Sequence, residues 1–191
     1  CSSDLGLNDY IKEISGKLAK DLGNVNVIAL DLYDGKVATT QELAGQYMQS
    51  ANEARIKNII NGAINLAGAD AKIATIGWCF GGGWSLQSSL LAGKNAVGCV
   101  LYYGMPETNV DRLKTLNTDV LGIFANKDAW ITTKVATDFK ANMEKAGKKL
   151  TYKIFPAVHG FANPSNPKFD AEASKEAYGM AIGYLKEKFG V

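Results

Sequence analysis

Apolar positions along the chain keep two rhythms that take turns. Tyr10, Ile11, Ile14, Leu18 and Leu22 recur at helical spacing. Asn8 or Asp9 can cap that helix, and Gly23-Asn24 ends it. A mostly apolar run over 25–30 predicts a short buried strand, with Asp31-Leu32-Tyr33-Asp34-Gly35 as its polar exit. Helical spacing returns over about 41–67, with break points near Ser50 or Gly62. Four further strands are predicted over 72–76, 97–103, 119–125 and 150–155. Between and after them lie helices beyond Gly83, over 135–146, and from Phe169 or Asp170 to about Lys188. Residues 1–7 read as irregular, with a turn at Gly6. Strands that alternate with helices imply crossover units and a mostly parallel sheet with helices on both faces. Near-continuous apolar strands suit a sheet buried on both sides. The expectation is an α/β fold in one domain spanning 1–191.

Composition narrows the function. Of 191 residues, 47% are hydrophobic and 21% charged, which suits a globular domain with a sizeable core. Twenty-one basic residues face 19 acidic ones and are scattered, so nothing argues for a nucleic-acid partner. No apolar run approaches the roughly 20 residues of a membrane span, and no secretory signal is evident. Cys1, Cys79 and Cys99 make no disulfide framework. With one histidine, His159, a histidine-based metal site is not expected, nor is any cofactor. The expected compartment is the cytoplasm. A lipid-anchored or periplasmic location is the alternative if Cys1 is the processed first residue of a lipoprotein. The expected assembly is a monomer or a weak homodimer.

The candidate chemistry sits at one turn. Ile73-Ala74-Thr75-Ile76-Gly77 runs into Trp78-Cys79-Phe80-Gly81-Gly82-Gly83, a strand–turn–helix pattern with a cysteine at its tip. A side chain there has strained dihedrals, and nearly bare neighbours must let strand and helix approach. The amides that open the next helix favour a thiolate. A buried structural cysteine in a glycine-rich turn is the alternative for this motif alone. In an open parallel sheet, functional groups gather beyond the carboxyl ends of the strands. Those ends carry Cys79, Asp128 and His159: a nucleophile, an acid and a base, in that chain order. A histidine can take the thiol proton and return it to a leaving group, and a carboxylate can fix the imidazole.

Gly77-Trp78-Cys79-Phe80-Gly81-Gly82, Ala125-Asn126-Lys127-Asp128 and His159-Gly160-Phe161 resemble the dienelactone hydrolase family of α/β-hydrolases. Gly6-Leu7-Asn8-Asp9-Tyr10, Asp31-Leu32-Tyr33 and Tyr102-Tyr103-Gly104 extend the resemblance over nearly the whole chain. It implies hydrolysis of a small carboxylic ester or lactone through an acyl-cysteine intermediate, without a metal or organic cofactor. Cys79 would be the nucleophile, His159 the base and acid, and Asp128 the group that orients it. The Phe80 amide and an amide near Asp4 would form the oxyanion hole. Ser3, Trp78, Tyr103, Phe161 and Asn163 would line the substrate pocket.

Three departures from the family pattern stand out. Ser3 occupies the place of a glutamate that usually contacts the cysteine. Asn163 stands where an arginine would hold a substrate carboxylate; Arg55 could reach the pocket only if its helix face turns inward. The resemblance also implies a strand running into the Gly6 loop beside the nucleophile strand, and Cys1 to Leu5 are too few to form it. An N-terminal strand is therefore expected to be missing from the sheet. Two other functions compete: a non-catalytic small-molecule-binding protein of the same fold, and a redox-sensing thiol with Cys99 as its partner.

Overall fold

Side chains placed just ahead of the helices hold their first amides. The computed structural model describes residues 5–191. Asn8 accepts from the Ile11 amide at 3.0 Å and opens α1 (Asp9–Leu22), which stops at Gly23. Thr40 opens α2 (Gln41–Ser50), and Asn52 opens α3 (Glu53–Ala67). The single helix expected over 41–67 is thus two. The break falls at Ser50–Ala51, because Ala51 is extended and Asn52 starts a new helix by accepting from the Arg55 amide at 2.9 Å.

Beyond α3 the order is β1 (Ile73–Trp78), α4 (Phe80–Ala92), β2 (Ala96–Tyr102), α5 (Val110–Lys114), β3 (Val120–Ala125), α6 (Thr133–Lys145), β4 (Leu150–Phe155) and α7 (Ala171–Phe189). The short α5 has no counterpart in the sequence-based expectation; Asn109 caps it through the Asp111 and Arg112 amides. The four strands pair in the order β1-β2-β3-β4, all parallel. Each strand is joined to the next by a helix, as the alternation of rhythms implied.

The sheet divides two cores. Along β2, Val100 and Tyr102 turn to a cluster that includes Ile11 and Leu18 of α1 and Ala177 and Ala181 of α7. Cys99 and Leu101 turn the other way, to Leu86 of α4 and to Phe139 and Met143 of α6. Burying each large apolar side chain contributes about 1.5–3 kcal/mol. Among the described residues, no helix is long and apolar enough to cross a membrane.

One expected strand does not form. Residues 25–30 join no ladder among the described residues. Val25, Val27 and Ala29 nevertheless pack on the α1–α7 cluster, while Leu30 and Leu32 belong with Ile56 and Ile60 of α3. That is the two-sided alternation of a strand, in a segment that joins no ladder among the described residues. Between this segment and the outer edge of β1 lies a cavity of about 650 Å³, lined by Ile28, Leu30, Ile73, Thr75 and Trp84 among others. Among the described residues, no strand pairs with β1 on that side. The α/β class, the parallel sheet and the helices on both faces are as the sequence implied.

Candidate active site

The elbow after β1 is built by close backbone approach. Cys79 has φ 55° and ψ −121°, a left-handed conformation costly for any side chain but glycine. Its amide is held by the Tyr102 carbonyl at 3.0 Å, and its own carbonyl accepts from Gly82 at 2.9 Å and Gly83 at 3.2 Å. A Cβ at Gly77 would lie 1.9 Å from the Gly81 carbonyl oxygen, and one at Gly82 would lie 2.5 Å from that of Tyr102. The glycines are therefore what lets α4 start directly against β1 and β2. The Cys79 sulfur does not cap α4.

Two later strand ends complete the cluster. β3 runs into Asn126 and Lys127, whose amides bond to the carbonyls of Phe155 and Ala157. Asp128 follows, its side chain fully buried. One carboxylate oxygen accepts from the Trp130 and Ile131 amides at 2.8 and 2.9 Å. The other lies 2.6 Å from His159 Nδ1. Burial pushes the Asp128 carboxyl up, but the His159 hydrogen bond and charge, with the two amides, outweigh it and hold the group below the usual carboxylate range. An ionised carboxylate only accepts, so Nδ1 carries the proton of the neutral ring and Nε2 is left as an acceptor. Nε2 is 2.9 Å from the Cys79 sulfur. Sulfur, imidazole and carboxylate thus form one hydrogen-bonded line drawn from the ends of β1, β4 and β3.

Aromatic rings hold the imidazole. The Tyr103 ring is 5.1 Å from it and buried, with Phe161 behind at 5.5 Å. On another side the Trp130 ring stands edge-to-face at 5.2 Å and is 63% exposed. Tyr103 has φ 32°, so the turn after β2 is strained beside the turn after β1.

The expected pocket residues separate. Trp78 is buried in the core against Tyr10 and Tyr102, on the α1–α7 face, because the residue before the turn points away from the one at its tip. Phe161 is wholly buried against Phe155 and Tyr103, so it supports the histidine loop from below. Tyr103 touches His159 but is itself buried. Asn163 is half-buried, with its amide on the Gly160 carbonyl and its side chain accepting from the Ser165 amide, a loop-shaping role. Phe80 supplies the first amide of α4, which has no carbonyl within the helix to bond. Ser3 and Asp4 lie outside the described residues. Trp130, two residues after Asp128, is the exposed ring beside His159.

Other groups are engaged elsewhere. Arg55 is tied to Asp34, with Nη2 at 2.6 Å. Arg112 bonds to Glu107 at 2.5 Å and to Gln87 at 2.6 Å. These are the chain's two arginines. Cys99 is fully buried with Ser85 in the α4–α6 core, and that burial pushes its thiol up. Cys79 packs against the opposite core, so the sheet separates the two sulfurs. Among the described residues, no three His, Cys, Asp or Glu side chains converge as a metal site requires.

Known proteins are similar to the chain over most of its length. The model of the dienelactone hydrolase family matches residues 3–189. A Saccharolobus solfataricus protein named "Putative carboxymethylenebutenolidase" is 24% identical, over 95% of this chain and 85% of its own. A carboxymethylenebutenolidase of Pseudomonas sp. (strain P51) is 30% identical over 61% of this chain and 48% of its own. Among solved structures, a dienelactone hydrolase-like promiscuous phosphotriesterase from metagenomic libraries superposes with a TM-score of 0.80, at 22% identity, over 97% of this chain and 83% of that one. With a match that spans nearly every residue, on an α/β fold with a cysteine elbow, the chain belongs to the dienelactone hydrolase family of hydrolases.

Proposed function

We propose that the protein hydrolyses a small, uncharged carboxylic ester or lactone through an acyl-cysteine intermediate, with Cys79, His159 and Asp128 as its triad. The observation that carries this reading is the line from the sulfur through Nε2 and Nδ1 to a buried carboxylate, at 2.9 and 2.6 Å. His159 Nε2 takes the thiol proton as sulfur bonds to the carbonyl carbon. The carbonyl oxygen becomes an oxyanion, which the Phe80 amide, the first of α4, would receive. An amide near Asp4 would be the second donor; losing one such donor typically costs about 2.7–4 kcal/mol. The carbon–oxygen bond then breaks and the leaving oxygen takes the proton from His159. Water, deprotonated by the same Nε2, attacks the thioester and releases the acid, and the sulfur recovers its proton. Asp128 keeps the ring in the tautomer that both half-reactions need.

The test is hydrolysis of p-nitrophenyl acetate by the wild-type protein and by Cys79→Ala and His159→Ala. The expected result is turnover that falls at least about 10³-fold in either variant, with an acetyl group on Cys79 in quenched wild-type samples by mass spectrometry. Equal rates in all three proteins would overturn the reading. The redox alternative predicts a Cys79–Cys99 linkage under peroxide, and the burial of Cys99 across the sheet argues against it.

A further inference from the structure

We propose that Trp130 is the specificity-determining residue for the leaving group, and that the group it selects is an uncharged aryl or similarly flat apolar alcohol. The inference rests on the triad reading above. In that reading the leaving oxygen must approach His159 Nε2, the atom 2.9 Å from the Cys79 sulfur, to collect its proton. Whatever is attached to that oxygen then projects past the imidazole. The indole is the exposed ring beside that imidazole, its ring centre 5.2 Å from that of His159 and nearly perpendicular to it.

Two features separate Trp130 from the other rings near the histidine. It is 63% exposed, whereas Tyr103 and Phe161 are buried and have no free face to offer. Its backbone is pinned, because its amide donates to Asp128 at 2.8 Å, so the indole is carried on a fixed point of the site. An exposed, anchored indole covers a flat apolar group at little entropic cost. The charge pattern agrees. Both arginines are tied to carboxylates, Arg55 to Asp34 and Arg112 to Glu107, and neither is free to hold an anionic substrate. The nearest loop cation in sequence is Lys127, exposed and one residue before Asp128. On the far side of the elbow, Met105 is 56% exposed beside Gly104, which packs on the Cys79 carbonyl. Exposed apolar surface therefore lies at Trp130 beside His159 and at Met105 in the loop after β2.

The experiment compares three acetates on the whole protein: 2-naphthyl acetate, hexafluoroisopropyl acetate and 6-carboxy-2-naphthyl acetate. The first two leave as alcohols of similar acidity but differ in flat apolar area; the third adds a carboxylate to the same ring. The expected wild-type order in kcat/KM places 2-naphthyl acetate first. In Trp130→Ala the ratio of 2-naphthyl to hexafluoroisopropyl kcat/KM should fall about tenfold, mainly through KM for the naphthyl ester. Trp130→Phe should restore part of the ratio. A ratio unchanged by Trp130→Ala would overturn the proposal, because the indole would then act only by bracing His159 and both esters would suffer alike. Faster turnover of the carboxylated ester would overturn the uncharged class. Should the wild-type protein turn over none of the three and Cys79 stay unacylated, the triad reading fails and this proposal with it. Turnover without the ratio change sinks this proposal alone.

Discussion

At the scale of the residue, His159 is the hinge of the site because each of its nitrogens has one assigned partner. Nδ1 faces Asp128 and Nε2 faces Cys79. Replacing Asp128 by Asn keeps the shape but supplies an amide where the ring needs an acceptor of fixed charge. The expected result for Asp128→Asn is a fall in kcat of roughly 10³–10⁴-fold, read by ester hydrolysis, with little change in KM. The same carboxylate also sets an acid limb of stability. Its folded-state pKa lies below the ordinary 3.8, so on acidification the unfolded chain takes the proton first. Its contribution is complete above about pH 4 and is lost as pH falls through the lower folded value. Urea midpoints measured between pH 5 and pH 2.5 should therefore fall less steeply for Asp128→Asn than for the wild type. Equal slopes would mean that the pair contributes nothing to folding.

At the scale of the element, local chemistry and tertiary contact divide the work. Helix starts are local. Asn8, Thr40, Asn52, Asn109, Thr132 and Asp170 each accept an amide of the helix that follows. Asn52 matters most among them, since without it α2 and α3 have no reason to part. Asn52→Ala should cost about 1 kcal/mol of stability, measured by denaturant unfolding, and leave the ester activity of the folded protein intact. The elbow is tertiary instead. Gly77, Gly82 and Gly104 lie on three different segments, and any Cβ among them would meet backbone within 2.5 Å. The strained φ of Cys79 is held there in part by the Tyr102 carbonyl on β2, a residue distant in sequence.

For the molecule as a whole, the sheet is closed on one side of the site and open on the other. β1 carries Cys79 and pairs with β2 alone among the described strands. Its outer edge faces the cavity of about 650 Å³ that separates it from residues 25–30. This cavity is not the catalytic one: neither Cys79 nor His159 lines it. Hydrogen exchange offers a direct check. Alternate amides of β1 should exchange at least about tenfold faster than those of β2 and β3, which are paired along both edges. Uniform protection along β1 would mean that its outer edge is covered in solution.

Much of this was legible before any coordinates. The alternating apolar rhythms determined the parallel α/β sheet, because a strand or helix that buries a face must repeat with its own period. Cys79, Asp128 and His159 were readable because catalytic groups in this architecture follow strand ends, which apolar runs mark clearly. The rings around them were not. Trp78 and Phe161 carry the same aromatic signal as Trp130, yet two are core and one is exposed. Which face a side chain takes after a strained turn depends on packing from distant segments. Residues 25–30 have the composition of a strand and even its two-sided packing, yet they join no ladder among the described residues, and ladder pairing is set by distant segments rather than by a local pattern. The sequence by itself determined the order of elements and the three reactive groups. Only the tertiary structure decided their 2.9 and 2.6 Å alignment, the engagement of both arginines and the open edge beside the nucleophile. Those depend on contacts between residues far apart in the chain.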